Sequence, residues 1–318
     1  MAAGSETGQG RVTLWGIEVF VAMAEERAIS AAARRLGVSA SGVSQQLAAL
    51  EAALGSELVD RSARPFALTA AGLAFRRHAE TVLDEIARAR AAIALADPAH
   101  LQSFRLGMVE DLEAEVTPQL LTEMGAEVTN CRFLLETGPS HRLLAQLEAR
   151  ALDMVVAAEG DLATDGHEVH PLLTEPFVAV LPRGADYGDL PLLHYSPRNV
   201  MGRQIAAHLA AEGVVPGHRY ELDSYAAMLA MVAAGQGWTI LTPLAVRHGA
   251  RFRSAVEIRP LPYAPLSRRL ALSARAGLMG AMPGAVAARL RRLLAELVVN
   301  PAVADDPWLA GQLRVETV

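Results

Sequence analysis

The chain has 318 residues, of which 52% are hydrophobic and 20% charged, so a sizeable core can form and wholesale disorder is excluded. At one domain per roughly 100–200 residues, two or three domains are expected. The net charge of -6 excludes a wholly basic nucleic-acid coat while leaving room for a local basic face.

All 29 basic residues are arginine, which beside abundant alanine reads as codon bias. The single Cys131 rules out an intramolecular disulfide framework and a multi-cysteine zinc site, and one thiol suits a reducing cytosol. Met1 to Gly10 are small and polar, unlike a secretory leader, and no apolar run reaches the ~18 residues of a membrane span. The expectation is a soluble, cytoplasmic protein with no membrane partner.

Ser30 is expected to cap a helix through Leu36, ended by Gly37 at positive φ, and Ser39 to cap a second helix that stops at Gly55. Ala33 lets the two helices approach, Gly37 makes the turn, and Val43 packs between them, which is the spacing of a helix-turn-helix. An ordinary helical hairpin has the same spacing. Charge separates the two readings: seven arginines stand between Arg27 and Arg77 against Glu51, Glu57 and Asp60. A net +4 on an otherwise acidic chain supplies the phosphate neutralisation that non-specific DNA affinity needs.

Thr69 is expected to cap a long helix to residue 96, with apolar positions Phe75, Ala79, Val82, Ile86, Ala89 and Ile93 alternating in steps of four and three. That is a coiled-coil seam, read as a dimerisation surface, although a helix packed on its own domain has the same pattern. From residue 101 strand-like runs alternate with helical ones: Phe104 to Val109, Cys131 to Leu135, Met154 to Val156, then again from Phe177 to Leu181, Leu190 to His194 and Trp238 to Leu241. The alternation argues for two α/β lobes with mainly parallel sheets.

Residues 14–72 resemble the DNA-binding region of LysR-type transcriptional regulators. The resemblance is carried by Phe20, Ser30-Ala31-Ala32-Ala33, Leu36, Val43-Ser44, Gln46-Leu47, Leu50-Glu51, Leu54-Gly55, Arg61, Arg64 and Leu68-Thr69-x-x-Gly72. The family's remaining plan fits the chain to about residue 297. It implies an α/β protein overall: an N-terminal all-α winged helix-turn-helix (11–68), a long linker helix (69–96) and a two-lobed effector domain like periplasmic binding proteins (97–297). Lobe one takes 101–174 and 268–297, lobe two takes 175–267, and a tail of 298–318 lies beyond the plan.

The resemblance places Ser39, Ala40, Ser41, Ser44 and Gln45 at base edges or nearby phosphates, and Arg61 and Arg64 on the wing, with Arg64 near the minor groove. Arg34 and Arg35 fit phosphate contacts better than base readers. Ala40 stands where the family commonly has Gln, and Gln45 where it commonly has a basic residue, so no relative's operator can be borrowed. The linker helix implies a homodimer or homotetramer on double-stranded DNA, with RNA polymerase as a further partner if the protein activates.

Ligands of such lobes sit in the cleft at the carboxyl ends of strands. Those ends are Val109, Glu110 and Asp111; Thr137, Gly138, Pro139 and Ser140; Tyr195, Ser196 and Arg198; Asp223 and Ser224; and Thr242 with Pro243. Ser140 and Ser224 serve equally well as plain helix caps. Acids at Glu110, Asp111 or Asp223 beside helix starts near Ser140 and Arg198 suit an amino-acid-like zwitterion, whereas a plain organic acid fits if Glu110 and Asp111 face solvent.

No cofactor, metal or catalysis is expected. There is no Gly-x-Ser-x-Gly elbow, the nine histidines lack His-Glu-x-x-His spacing, Ser140-His141 point apart on one helix start, and Cys131 lies in an apolar run. The reading is a DNA-binding regulator controlled by a small polar metabolite. A solute-binding protein without DNA function is the alternative, supported by the second half alone.

Overall fold

The computed structural model describes residues 11–63, 66–96, 103–128, 130–159, 166–214 and 220–317. The chain divides into two compact units, Met1–Ile93 and Ala94–Val318.

In the first unit, α1 (Leu14–Glu26) buries Val19, Phe20 and Met23, and its Thr13 cap accepts from the Gly16 N–H at 3.0 Å. The second helix, α2 (Ile29–Leu36), starts from Ala28 with no side-chain cap. Ser30, expected as that cap, therefore lies inside the first turn. Gly37 at φ 68 closes α2, and α3 (Ala40–Leu54) begins where Ser39 Oγ accepts from the Gly42 N–H at 3.1 Å.

A two-stranded wing follows, β1 (Val59–Asp60) antiparallel to β2 (Ala67–Leu68). Its base is organised by the buried Glu51, which accepts from the Leu58 N–H at 2.8 Å, the Val59 N–H at 3.3 Å and Arg61 at 2.7 Å. The linker helix α4 (Ala70–Ala96) is capped by Thr69 through the Gly72 N–H. A Cβ on Gly72 would stand 2.0 Å from the Leu58 carbonyl oxygen, so helix and wing meet this closely only at glycine.

Phe75 stacks edge-on to Phe20 at 5.2 Å, and Ala79 is buried in the same core. These two expected seam positions thus pack on their own domain. Beyond them Val82 and Ile93 are exposed, Ile86 is half-buried and Ala89 is exposed.

The second unit holds two mixed sheets. One has six strands in the order β13-β6-β12-β5-β3-β4: β3 (Ser103–Val109), β4 (Arg132–Gly138), β5 (Met154–Ala158), β6 (His167–Pro176), β12 (Ser267–Arg275) and β13 (Arg314–Val315). The other has five in the order β11-β7-β10-β8-β9: β7 (Val178–Pro182), β8 (Leu192–Tyr195), β9 (Glu221–Leu222), β10 (Trp238–Leu241) and β11 (Val256–Arg259).

The sheets are not mainly parallel as expected, because β6 and β12 in the first and β7 in the second run antiparallel to their neighbours. No continuous apolar run marks β6 in the sequence, because its first half, His167 to Pro171, is largely polar and half-buried or exposed. Cys131 lies just before β4 rather than within it and is half-buried. Both faces of β7 are covered: Val178 and Val180 join the larger core, and Phe177, Ala179 and Leu181 the smaller one. That accounts for its unbroken apolar run.

The helices are α5 (Val116–Glu127), α6 (Ser140–Glu148), α7 (Val200–Ala211), α8 (Tyr225–Ala233), α9 (Pro243–His248), α10 (Met282–Leu294) and α11 (Asn300–Asp305). The segment 298–317 docks: Val298, Ala302, Leu309 and Leu313 are buried, and β13 pairs with β6. Asp306 ties it to Arg253 of the second lobe at 2.6 Å.

Candidate functional site

Two sites emerge, one in each unit. On α3, Val43, Leu47 and Leu50 face the core, leaving Ala40, Ser41, Ser44 and Gln45 exposed on the opposite side. A helix so presented fits the major groove, ~12 Å wide. Ser39 is first a cap, and its hydroxyl also meets that of Ser41 at 3.0 Å; Ser44 donates to the Ala40 carbonyl at 3.1 Å. Gln45 has no partner among the described residues, so its amide is available for a base edge.

Arg34 is exposed, but Arg35 corrects the expectation of a free phosphate contact. Its guanidinium is only 16% exposed and is paired with Glu25 at 2.5 Å, with Glu26 at 3.6 Å. Arg61, anchored by Glu51, keeps 61% of its side chain exposed on the wing. Arg64 lies outside the described residues.

The second site is a cavity of about 290 Å³ between the lobes of the effector unit, near the lower end of ordinary small-ligand pockets. From lobe one it takes Val109, Glu110 and Asp111 after β3, and Gly138, Pro139 and Ser140 at the start of α6. From lobe two come Tyr195, Arg198 and Asp223.

The other expected residues lie elsewhere and hold the frame. Thr137 is half-buried on β4. Ser196 is buried and donates to Glu221 at 2.7 Å. Ser224 caps α8 and Thr242 caps α9, with Pro243 in its first turn. Ser140 is not a cap: α6 starts from Pro139, and the Ser140 hydroxyl accepts from the Ala158 N–H at 3.0 Å, binding helix to strand. α7 begins at an Asn199 cap rather than at Arg198.

Sequence reasoning missed the residue at the centre, Arg268, which is buried against the cavity. It stands directly opposite Glu175 in the β6–β12 ladder and binds it through Nε at 2.7 Å. It also pairs with Asp111 and donates to the Thr242 hydroxyl at 3.3 Å. Glu175 in turn accepts from the Leu244 N–H at 3.2 Å, so one buried ionic knot joins strands of lobe one to α9 of lobe two. Each strand carries more than one ionisable residue, Glu168 and Glu175 on β6 and Arg268, Arg269 and Arg275 on β12, so the sequence does not mark which pair is buried.

Burial raises the Glu175 carboxyl above its usual range even with Arg268 opposing. Glu175 and Asp111 hold the Arg268 guanidinium well above its ordinary value, although burial alone would lower it. Burial, then the charge of Asp111, pushes Glu110 up. The same two causes push Tyr195 up to about 12 and also raise Tyr225. The expectation that Asp111 greets a ligand's ammonium is thereby changed: its carboxylate is already matched by Arg268.

Of the remaining lining residues missed from the sequence, His141 and Ala158 belong to lobe one, while Asn199, Met201, Gln204 and Tyr225 lie on α7, its cap and α8 of lobe two. Among the described residues no group of histidine, cysteine and acids could hold a metal ion, and no helix is long and apolar enough to cross a membrane.

Residues 14–73 match the family described as bacterial regulatory helix-turn-helix protein, lysR family, and residues 100–297 match the LysR substrate binding domain. A probable hydrogen peroxide-inducible genes activator of Mycobacterium avium is 37% identical over 54% of this chain and 55% of its own length, so the chain spans about half of that relative. The HTH-type transcriptional regulator ShiR of Corynebacterium glutamicum is 33% identical over 71% of this chain and 81% of ShiR.

Full-length OxyR from Pseudomonas aeruginosa superposes with a TM-score of 0.64 at 23% identity, covering 89% of this chain and 95% of OxyR. Vibrio fischeri DarR in complex with DNA gives 0.51 at 20% identity, covering 89% and 99%. At those identities the likeness speaks to fold alone. With both its regions matched in order, and ShiR similar over most of its length, the chain belongs to the LysR family of transcriptional regulators.

Proposed function

We propose that the chain reads a DNA operator with the exposed face of α3 and changes that binding when a small polar metabolite enters the interlobe cavity. The observation that carries this is the division of α3 into a core face of Val43, Leu47 and Leu50 and a free polar face with Gln45 unpartnered. The exposed second half of the α4 seam supports a homodimer, which would present two recognition helices to two half-sites. A DNA operator as partner puts the protein in the cytoplasm, and no step of the reading requires catalysis.

Several relatives are named as hydrogen peroxide-inducible activators. That response is not carried over through a thiol pair, because Cys131 is the one cysteine of the 318 residues. Its thiol is also half-buried, and burial pushes its pKa up, away from the reactive thiolate.

Selection from a random duplex pool with the full-length protein tests the reading. Enrichment of two half-sites about one or two helical turns apart is expected; a pool that stays random would contradict it.

A further inference from the structure

We infer that the metabolite carries a primary ammonium group, held by acceptors on both walls of the cavity. This rests on the reading of the cavity as the effector site and names its ligand class.

The charge inside comes first. Arg268 is the buried cation of the cavity, and it is shared by two buried carboxylates, Asp111 and Glu175. The knot therefore carries one uncompensated negative charge whenever both acids are ionised. Glu110, exposed on the lobe-one side of the opening, adds another; partial burial first, then Asp111 and Glu113, raise its carboxyl pKa. Arg198 and Asp223 are both exposed at the mouth and offset each other. With Glu175 behind Arg268, the acids at the cavity outnumber its arginines.

The unpartnered polar atoms come second, and they are independent of the acids. Tyr225 is only 7% exposed and lines the cavity, yet its hydroxyl makes no hydrogen bond among the described residues. Tyr195, half-buried at the same cavity, also has a hydroxyl without a hydrogen bond among the described residues. Gln204 Oε1, also from a lining residue, is buried and accepts nothing. A buried polar atom left unpaired is costly, so Gln204 Oε1, with two unpaired tyrosine hydroxyls at the same cavity, marks where a ligand completes the network.

The acceptors decide the ligand's sign. An amide oxygen and a carboxylate only accept, a hydroxyl can accept, and an ammonium brings three N–H donors and no acceptor. Free amines and amino acids share this group. A ligand carboxylate, where there is one, meets the start of α6, whose first turn has no side-chain cap.

Thermal unfolding of the full-length protein with butylamine, putrescine, 4-aminobutyrate and butyrate tests it. At least one amine-bearing probe is expected to raise Tm by roughly 5–10 °C at about a hundredfold excess over its Kd, and butyrate is expected to do nothing. Glu110→Gln should cut the shift. Tyr225→Phe should leave the free protein at least as stable, since the lost hydroxyl had no partner, while also cutting the shift.

Stabilisation by butyrate alone, lost in Tyr225→Phe, would keep the cavity as the effector site and overturn the ammonium. An amine shift untouched by both substitutions, or no shift with any probe, overturns the inference as well. The DNA selection above stands or falls separately.

Discussion

The polar residues of α3 and those of the cleft are held in opposite ways. Ser41, Ser44 and Gln45 stand in solvent on a helix whose other face is core, and their only hydrogen bonds are local ones to Ser39 and Ala40, so each can be removed without disturbing the core. Asp111, Glu175 and Arg268 are buried and assembled from three distant stretches of chain, so each is a condition for the others. A surface reader separates function from stability. A buried knot fuses them, and two of its members, Glu175 and Arg268, sit on the paired strands β6 and β12.

The largest expected effect follows from that difference. Arg268→Met should destabilise the protein by about 3–5 kcal/mol in urea unfolding, because two buried carboxylates lose their cation. Adding Glu175→Gln to that variant should recover part of the loss. The same glutamate gives a pH signature in the parent protein. Its folded pKa is raised, so the folded state keeps the proton after the unfolded chain has lost it near the ordinary 4.5. Its contribution is full below that pH and is lost as pH rises through the folded value. Glu175→Gln should flatten that decline.

On the DNA-binding side the fragile positions are backbone approaches and not the readers. Gly72→Ala should cost about 1–3 kcal/mol, since the new Cβ collides with the Leu58 carbonyl and the wing must shift. A smaller effect on folding comes from α4. Val82→Glu with Ile86→Glu should abolish the dimer in light scattering while each chain keeps its circular dichroism, because Val82 is 42% exposed in the single chain. Retention of the dimer would move the interface off this helix.

The smallest effect distinguishes two adjacent arginines. Arg34→Ala should reduce the slope of log K against log salt by about one unit, if that exposed guanidinium neutralises one phosphate. Arg35→Ala should leave the slope unchanged and lower stability instead, through Glu25.

The same contrast explains what the sequence made legible. Helix caps, turn glycines and the polar face of α3 are local: Ser39, Gly37 and Val43 lie within seven residues and follow from spacing alone. The α4 seam was visible as a pattern, but its use was not. Phe75 and Ala79 read as interface and pack instead on Phe20, more than fifty residues earlier. In the cleft, strand ends after β3 and β4 were legible because each precedes a helix start. Arg268 and Tyr225 were not, because the ion pair of Arg268 with Glu175 spans 93 residues and the role of Tyr225 depends on a cavity that no local spacing encodes. Ser140 misled for the same reason: a serine at a helix start looks like a cap, and its actual partner is Ala158 on another strand.

The central claim is that α3 reads base sequence. Its most direct test compares the operators selected by the wild-type protein and by the variant carrying Ser44→Ala and Gln45→Ala, at matched salt. The account predicts that the variant stays folded, keeps salt-dependent DNA binding and loses preference at the base pairs facing those residues, by roughly 1–3 kcal/mol for a lost bidentate contact. Unchanged preference at every position would contradict it and place sequence reading elsewhere in the protein.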